Sequence, residues 1–583
     1  MKRDFRKVGW YLAALIGGYV CAELLIYAAL PHWKWKSADL LFGILVLLSG
    51  MAVVKEKAAF LRRTLFMSLL LMMPIFIGML AGQPLHMAMQ YRTLAFSLIG
   101  AAGFFTVQSF LPVGRWRTIF SRTFYSAVFL VSLTLWGYYF SAGSLLNASA
   151  ILAIFQTNPA EAKSYLLDYM PWQGVCILIL LIAAYVRFLR HWTQSLNVHW
   201  GGDSRTCIYL MVGACIVLTL FSLYRTRDNF YKNLAGETQK GLQAYRSFTI
   251  SREARAEAAQ NDLAGISQGN PGVYILVIGE SQNRLHMSAY GYDKETTPWL
   301  NQMKNDAHTV FFTDARSCHT HTVPVLSYAL TDKNQYNQRD LSKSLTLIEA
   351  AKAAGFHTVW LSNQVRYGAW DTPTSVIADE ADEQVWLNGH AGETTDTNVY
   401  DGNLADSLKQ VKTTDKTLIV IHLMGNHGSY RDRYPQEFAV FAGDSPEALY
   451  DNSIRYNDFV VQNIYEAAKA MPNFQGLVYC SDHADDVDRN LGHDASHFTQ
   501  DMTKIPFYMI FSDAYEKHYP GILQELRLHK DSRFTNDLLY NAMLGIMGIV
   551  VPSDYEEQND LTSADYNADK ERFRTLHGQQ ELD

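Results

Sequence analysis

Hydrophobic positions are distributed very differently in the two parts of this 583-residue chain. The first 224 or so residues contain long apolar runs, each approaching the roughly 20 residues that a helix needs to cross a bilayer core. We predict seven membrane spans, with five as the alternative because the second and third runs are short. The predicted spans are residues 8–30, 38–54, 65–82, 94–112, 120–141, 173–190 and 206–224.

Beyond these runs, short apolar stretches alternate with helix-like segments, which is typical of a largely parallel sheet. The predicted strands are Val273–Ile278, His357–Leu361, Thr417–Leu423, Leu477–Cys480 and Ile505–Phe511. Between the first two strands we predict a helix capped by Ser344 and closed by Gly355. The chain therefore divides into a helical membrane domain (1–224), a helical linker near the membrane surface (225–270), an α/β domain (271–555) and a polar tail (556–583), interpreted as a surface extension.

Basic residues occupy alternate loops between the predicted spans. They are Lys2, Arg3, Arg6 and Lys7; Lys55, Lys57, Arg62 and Arg63; Arg115, Arg117 and Arg122; and Arg187 and Arg190. Because cytoplasmic loops carry the excess of Lys and Arg, these loops are predicted to be cytoplasmic. With seven spans, everything after Tyr224 then lies on the outer side of the membrane. The alternative, a cytosolic second half, would need an even number of spans or a departure from this charge rule. The net charge of −7 argues against a nucleic-acid partner.

Two predicted strands end on side chains that suit metal chemistry. Val273–Ile278 runs into Gly279 and then Glu280 and Ser281, and a later strand ends in Asp482 and His483. Ligands of open α/β sheets sit at the carboxyl ends of the strands. The mixed oxygen and nitrogen set suits zinc, with Ser281 as a metal-activated nucleophile. The alternatives are a helix N-cap at Ser281 and a buried ion pair for the charged residues.

These strand ends belong to a larger set of sequence motifs. The set comprises Gly279-Glu280-Ser281, Tyr290-Gly291-Tyr292, Glu295-Thr296-Thr297-Pro298, Trp360-Leu361-Ser362-Asn363-Gln364, His422-Leu423-Met424-Gly425-Asn426-His427-Gly428, Arg433-Tyr434-Pro435 and Ser481-Asp482-His483. Over about residues 140 to 550 the chain resembles the membrane-bound phosphoethanolamine transferases of Gram-negative bacteria, in the alkaline phosphatase/sulfatase superfamily. It departs from the family pattern where Gly-Glu usually follows Asp-His, because Ala484-Asp485-Asp486 stands there.

The resemblance implies an inner-membrane, multi-pass enzyme whose periplasmic catalytic domain is an α/β/α sulfatase-like fold holding one or two zinc ions. Such an enzyme transfers phosphoethanolamine from phosphatidylethanolamine to lipid A, the lipopolysaccharide core or a periplasmic glucan, through a covalent phospho-serine intermediate. Two alternatives stay open. They are a phosphoglycerol transferase of the same fold and a catalytically inactive envelope protein that binds lipid or glycan.

The resemblance also implies roles for residues outside the strand ends. His427 is expected to bind substrate phosphate or a second metal ion. His493 is expected to bind substrate, with His497 as its rival. Thr320 and Thr322 lie in a region that matches the family's Thr-rich substrate loop and are expected to bind phosphate oxygens, with an exposed polar loop as the alternative. Glu161 lies between the fifth and sixth predicted spans, where a short amphipathic helix would place it at the entry of a lipid headgroup; an ordinary polar loop is the alternative.

Only two of the six cysteines, Cys318 and Cys480, lie in the predicted α/β domain. Each is next to a suspected site motif. A single disulfide in an oxidising compartment and two buried free thiols are equally consistent with the sequence.

Overall fold

The computed structural model describes residues 39–583 except 157–161, 164–165, 167–169, 192–195, 197–204, 251–261, 365–372, 389–398 and 554. The first predicted span, 8–30, therefore lies outside the described residues, as does Glu161. The chain divides into two compact units. One contains Met1–Ala148 and Tyr169–Gln239, and the other contains Ser149–Asp168 and Lys240–Asp583.

The described part of the first half is helical. Its helices are α1 (Asp39–Val53), α2 (Lys57–Leu71), α3 (Met73–Leu80), α4 (Met87–Phe110), α5 (Arg115–Ala142), α6 (Ala148–Gln156), α7 (Trp172–His191), α8 (Arg205–Arg225) and α9 (Phe230–Ile250). Among the described residues, α4, α5 and the Trp172–Leu189 part of α7 are long and apolar enough to span a membrane. The pair α2 and α3, bent by 43°, would make a fourth span if it crosses as one. The count of seven stays a prediction.

The second half is an α/β domain. Its strands are β1 (Gly272–Gly279), β2 (Thr309–Phe312), β3 (Asp314–Arg316), β4 (His357–Ser362), β5 (Glu383–Trp386), β6 (Lys416–His422), β7 (Phe474–Ser481), β8 (Phe507–Phe511), β9 (Arg533–Thr535), β10 (Arg574–Thr575) and β11 (Gln580–Glu581). Its helices are α10 (Pro298–Met303), α11 (Thr322–Ala329), α12 (Leu347–Ala353), α13 (Pro373–Ala378), α14 (Asn403–Leu408), α15 (Pro446–Lys469), α16 (Asp513–His518), α17 (Pro520–Leu528) and α18 (Leu539–Ile546). All five predicted strands are confirmed.

Seven strands form the main sheet in the order β2-β8-β7-β1-β6-β4-β5. The five strands from β7 to β5 are parallel, whereas β8 runs antiparallel to β7. Alternate residues of β1 point to opposite faces, so that Leu276 packs in one apolar core and Ile275 in the other. The sheet is thus covered on both sides, which is the layered arrangement expected of a parallel sheet.

The register of the central strands sets the position of the site. Gly279 of β1 lies beside Ser481 of β7, and Ile278 lies beside His422 of β6. The three strands therefore end level with one another at the carboxyl edge of the sheet. The residues just beyond each of these strands are consequently brought close to those just beyond its neighbours.

Two local predictions were wrong. The helix after the substrate loop region is capped by Thr346 rather than Ser344, because Thr346 and Glu349 form a reciprocal capping box. Gly355 does adopt the left-handed conformation that was expected, with φ +87°. The polar tail is more than a surface extension, since Leu561 and Phe573 are fully buried in one of the two apolar cores. The domain boundaries themselves stay predictions.

Candidate active site and metal centre

Ser281 is the second residue after the central strand β1, which ends at Gly279. Its φ of +54° places it in the left-handed region, which is uncommon for a residue other than glycine. Its Oγ donates a hydrogen bond to Glu280 Oε1 at 2.8 Å, and its amide N–H donates to Asp482 Oδ1 at 3.0 Å. The N-cap alternative is wrong, because Asn283 caps the next short 3₁₀ turn.

The carbonyl side of Ser281 is held by a tyrosine from α15. The Tyr450 hydroxyl donates to the Ser281 carbonyl oxygen at 2.5 Å and accepts from the Asn283 amide at 2.8 Å. Ser281 and Tyr450 are both fully buried. The unusual backbone conformation at Ser281 is thus fixed by bonds from both sides, as is typical of functional positions.

Glu280, Asp482 and His483 bring their ligand atoms within 4.8 Å of one another. His483 Nε2 lies 3.3 Å from Glu280 Oε1 and 3.4 Å from Asp482 Oδ2. All three residues are buried. The four residues predicted from the two strand ends, Ser281 included, are therefore brought together.

This group has unsatisfied polar atoms. Asp482 Oδ2 and His483 Nδ1 are buried and make no hydrogen bond. Burial and the neighbouring Glu280 charge raise the pKa of Asp482 to about 7, and burial lowers the pKa of His483 to about 4. Buried polar groups without partners are costly, and two carboxylates beside an imidazole match the ligand preferences of zinc. The residues present fit a metal ion, which would be held by Glu280, Asp482, His483 and Ser281.

The turn after β6 completes one wall of the site. Gly425 has φ +51°, and a Cβ there would lie 2.8 Å from the carbonyl oxygen of Glu280. The Asp401 carboxylate accepts hydrogen bonds from the amides of Met424 and Gly425 at 2.9 and 2.7 Å. Asn426 N–H then donates to the Glu280 carbonyl oxygen at 2.9 Å. Only glycine allows this close approach of two backbones.

His427 lies in the same turn. Burial lowers the pKa of His427 to about 4, and the charges of Glu280, Arg433, His493 and Asp485 also act on it. The imidazole is therefore neutral at neutral pH. Its substrate-binding role stays a prediction.

His493 is brought to the site, as predicted. Its ring centroid lies 4.3 Å from that of His483, and its Nδ1 lies 2.7 Å from Asp485 Oδ1. Burial works against the charged imidazole, but the Asp485 charge and hydrogen bond outweigh it and raise the pKa of His493 to about 9. His483, Asp485 and His493 form a second group whose ligand atoms lie within 4.8 Å of one another.

Asp485 was missed as a site residue because it stood in the stretch that departs from the family pattern. The structure shows it buried, with its second oxygen accepting from the Tyr430 hydroxyl at 2.6 Å. A carboxylate two residues after His483 was the only signal in the sequence.

In the substrate loop, the structure brings Thr322 rather than Thr320 to the ligands. Thr322 Oγ1 donates to Glu280 Oε2 at 3.0 Å and lies 3.3 Å from His483 Nε2. The hydroxyl of Thr320 instead lies 3.1 Å from the Nδ1 of His321. The position of α11 decides this, because Thr322 is its first residue. Cys318 and Cys480 are both buried free thiols.

Comparison with known proteins first finds a family match in the second half of the chain. Residues 273–549 match the model of the Sulfatase family. The matched residues run from β1 to just beyond α18, and so include the strands of the main sheet.

Two relatives match the chain over a longer stretch than the family model does. The phosphoethanolamine transferase EptC of Escherichia coli is 28% identical over 422 residues, covering 66% of this chain and 72% of its own. The phosphoethanolamine transferase CptA of Salmonella typhimurium is 25% identical over 496 residues, covering 78% and 84%. The predicted resemblance to this family is confirmed.

A solved structure shows the fold of both parts together. The integral membrane protein lipooligosaccharide phosphoethanolamine transferase A (EptA) from Neisseria meningitidis is 18% identical, with a TM-score of 0.58 over 86% of this chain and 98% of its own. The fold class is confirmed: an N-terminal region of apolar helices is followed by a sulfatase-like α/β/α domain.

Proposed function

We propose that this protein transfers phosphoethanolamine from phosphatidylethanolamine to a glycan or lipopolysaccharide acceptor of the cell envelope. The relatives EptC and CptA are named for phosphoethanolamine transfer. The observation that carries the proposal is the buried Ser281 hydroxyl beside a donor set with unsatisfied atoms. An inner-membrane location with a periplasmic catalytic domain is supported by the basic loops between the spans.

In the first half-reaction, Ser281 Oγ attacks the phosphorus of the lipid. The Oγ–P bond forms, the bond from phosphorus to the glycerol oxygen breaks, and diacylglycerol leaves with a proton. A phosphoethanolamine-serine ester remains. In the second half-reaction, an acceptor hydroxyl or phosphate oxygen attacks the same phosphorus and Ser281 Oγ is released.

The chain's own residues orient these steps. Glu280 Oε1 holds the Ser281 hydroxyl, and the Asp482 carboxylate fixes the Ser281 backbone. Zinc held by Glu280, Ser281, Asp482 and His483 would supply positive charge that favours the serine alkoxide and the negative phosphoryl oxygens. His427 and His493 are proposed to bind the phosphoryl group, and Glu161 to bind the lipid headgroup.

The test is mass spectrometry of the full-length protein after incubation with phosphatidylethanolamine. A phosphoethanolamine adduct on Ser281, absent from Ser281→Ala, is expected, and turnover should fall by at least about 1,000-fold in that variant. Ser512→Ala is the matched control. Ser512 likewise lies just beyond the end of a sheet strand, but its hydroxyl caps α16 by accepting from the Tyr515 amide at 3.1 Å. Ser512→Ala should therefore leave the adduct on Ser281 unchanged.

Two other outcomes would assign a different function to the protein. A glycerophosphate adduct from phosphatidylglycerol would make the protein a phosphoglycerol transferase. Absence of both adducts and of bound zinc would contradict the proposal and favour an inactive binding protein.

A further inference from the structure

A short segment near the end of the described chain, residues 574–578, contacts the loop that carries Thr322. We call it the 574–578 clamp. Thr575 Oγ1 donates to the Ser317 carbonyl oxygen at 2.8 Å, and the His577 amide donates to the Cys318 carbonyl oxygen at 3.1 Å. His577 Nε2 donates to the Pro324 carbonyl oxygen at 3.1 Å. These three bonds reach both ends of the loop 317–324.

The His577 ring also packs on residues of the loop and of the adjoining helix. It stacks on Tyr328 of α11 with a centroid distance of 3.9 Å and an interplanar angle of 3°. Its centroid lies 5.0 Å from that of His319. Burial lowers the pKa of His577 to about 4, so the ring is neutral and contributes a hydrogen bond and a flat surface rather than a charge.

The backbone of the clamp is strained. Leu576 and His577 have φ values of +50° and +53°, and neither is a glycine. Such conformations cost on the order of 1–3 kcal/mol each and persist only where the surroundings fix them. Gln335 supplies part of that support, because it accepts from the Gly578 amide at 2.8 Å and donates to the Arg574 carbonyl oxygen at 2.9 Å.

The inner side of the loop reaches the ligand residues directly. Ser317 Oγ donates to the Asp482 carbonyl oxygen at 2.6 Å, and Thr322 Oγ1 donates to Glu280 Oε2 at 3.0 Å. The loop therefore lies between the clamp and the site. A displacement of the loop would move the Thr322 hydroxyl away from Glu280.

We propose that the 574–578 clamp holds the loop 317–324 in its working position and that His577 is a positioning residue for the transfer reaction. This role rests on the proposed function, while the contacts themselves can be tested without it. His577 acts through Pro324 and Tyr328 on Thr322, without touching the reacting atoms.

The experiment compares full-length wild type with His577→Ala in lipid nanodiscs, by hydrogen exchange of the 317–328 region and by steady-state transfer kinetics. We expect loop amides to exchange at least about tenfold faster in the variant, because their protection depends on the clamp. We expect kcat to fall by about 10- to 100-fold, with KM for the lipid within about twofold of wild type. His577→Gln, whose amide can donate to Pro324, should recover part of both losses.

His529→Ala is the matched control. His529 Nδ1 donates to the Leu561 carbonyl oxygen at 2.9 Å, and its ring lies 5.2 Å from that of Tyr566. It thus has the same kinds of contact as His577 but outside the loop. Its removal should change neither loop exchange nor kcat.

Three results would overturn the proposal: unchanged loop exchange in His577→Ala, faster exchange with unchanged kcat, or an equal loss of kcat in His529→Ala. If His577→Ala does not accumulate as folded protein, Thr575→Val carries the same expectations, because it removes only the bond to Ser317. If the wild type transfers nothing, the transfer function fails, and hydrogen exchange still decides whether the clamp holds the loop.

Discussion

Two regions of the α/β domain bury carboxylic acids with nearly the same pKa. Burial and Glu280 raise the pKa of Asp482 to about 7 at the strand ends, and burial raises the pKa of Asp458 in α15 to about 7. Asp458 has a partner at each oxygen, since it accepts from the Leu300 and Trp299 amides at 3.1 and 2.8 Å. Asp482 Oδ2 has none.

Asp451, also in α15, extends the comparison. It is buried and bonded to His286 at 3.0 Å, Lys294 at 2.7 Å and Tyr292 at 3.0 Å. Carboxylates, a histidine and burial occur in both regions. Of the three carboxylates compared, Asp482 is the one with an oxygen that accepts no hydrogen bond, and it lies beside the unbonded Nδ1 of His483. A raised pKa therefore does not mark the functional site, whereas unsatisfied atoms around a common point do.

The largest difference between substitutions at the strand ends and in α15 is expected in zinc binding. Asp482→Asn should lower zinc affinity by more than about 100-fold and abolish transfer, because it removes a charged ligand. Metal analysis of the purified protein and chelator competition measure this.

Asp451→Asn is the matched change in the other region. It should keep zinc and activity but destabilise the protein by about 1–3 kcal/mol, because buried partners lose a charged acceptor. Loss of zinc in Asp451→Asn, or zinc retained in Asp482→Asn, would remove the distinction between the regions.

A smaller effect is expected at Thr322. Thr322→Val keeps the side-chain shape and removes the hydroxyl that bonds Glu280, at a cost of about 1.5–3 kcal/mol for a hydrogen bond to a charged group. We expect kcat to fall about 10- to 100-fold, and Thr322→Ser to retain most activity. Transfer kinetics with intact zinc content provide the measurement.

Thr331→Val is the control for this change. Thr331 Oγ1 donates to the Ser327 carbonyl oxygen at 2.7 Å just beyond the end of α11, so its loss should affect stability alone. Equal losses of kcat in the two valine variants would show that α11, rather than the Thr322 hydroxyl, matters.

The smallest effect is a pH dependence at Asp458. Its folded pKa of about 7 lies above the unfolded value of about 3.9, so the folded protein holds the proton more tightly. The resulting stabilisation is present below about pH 4 and is lost as the pH rises to about 7. Arg455 partly opposes this shift, because its charge favours the carboxylate.

Asp458→Asn should remove this dependence. The melting temperature of wild type relative to the variant should fall by several degrees between pH 4 and 7 and stay level above that range. A constant difference across the range would mean that Asp458 is ionised throughout. Activity at pH 7 should be the same in both proteins.

The sequence was sufficient to predict the residues at the centre of the site, but not the residues that surround them. Glu280, Ser281, Asp482 and His483 could be predicted because parallel strands end at one edge of a sheet, so two strand-end motifs had to meet. Thr322 could not be separated from Thr320, since the choice depends on the residue at which α11 begins.

Two other predictions, the exposed polar tail and the Ser344 cap, were wrong because the sequence pattern around them was uninformative. The polar tail contains few apolar residues, and no periodic pattern showed that Leu561 and Phe573 enter the core. Thr346 and Ser344 are both good helix caps, and only the reciprocal bond with Glu349 favours the former.

The close approach of Gly425 to Glu280 limits which substitutions this site can accept during evolution. At this point the wall of the site is main chain on both sides, so its width depends on backbone atoms rather than on interchangeable side chains. Any side chain at 425 would press on Glu280 and widen the site, so a substitution there should abolish function although no ligand residue is itself replaced.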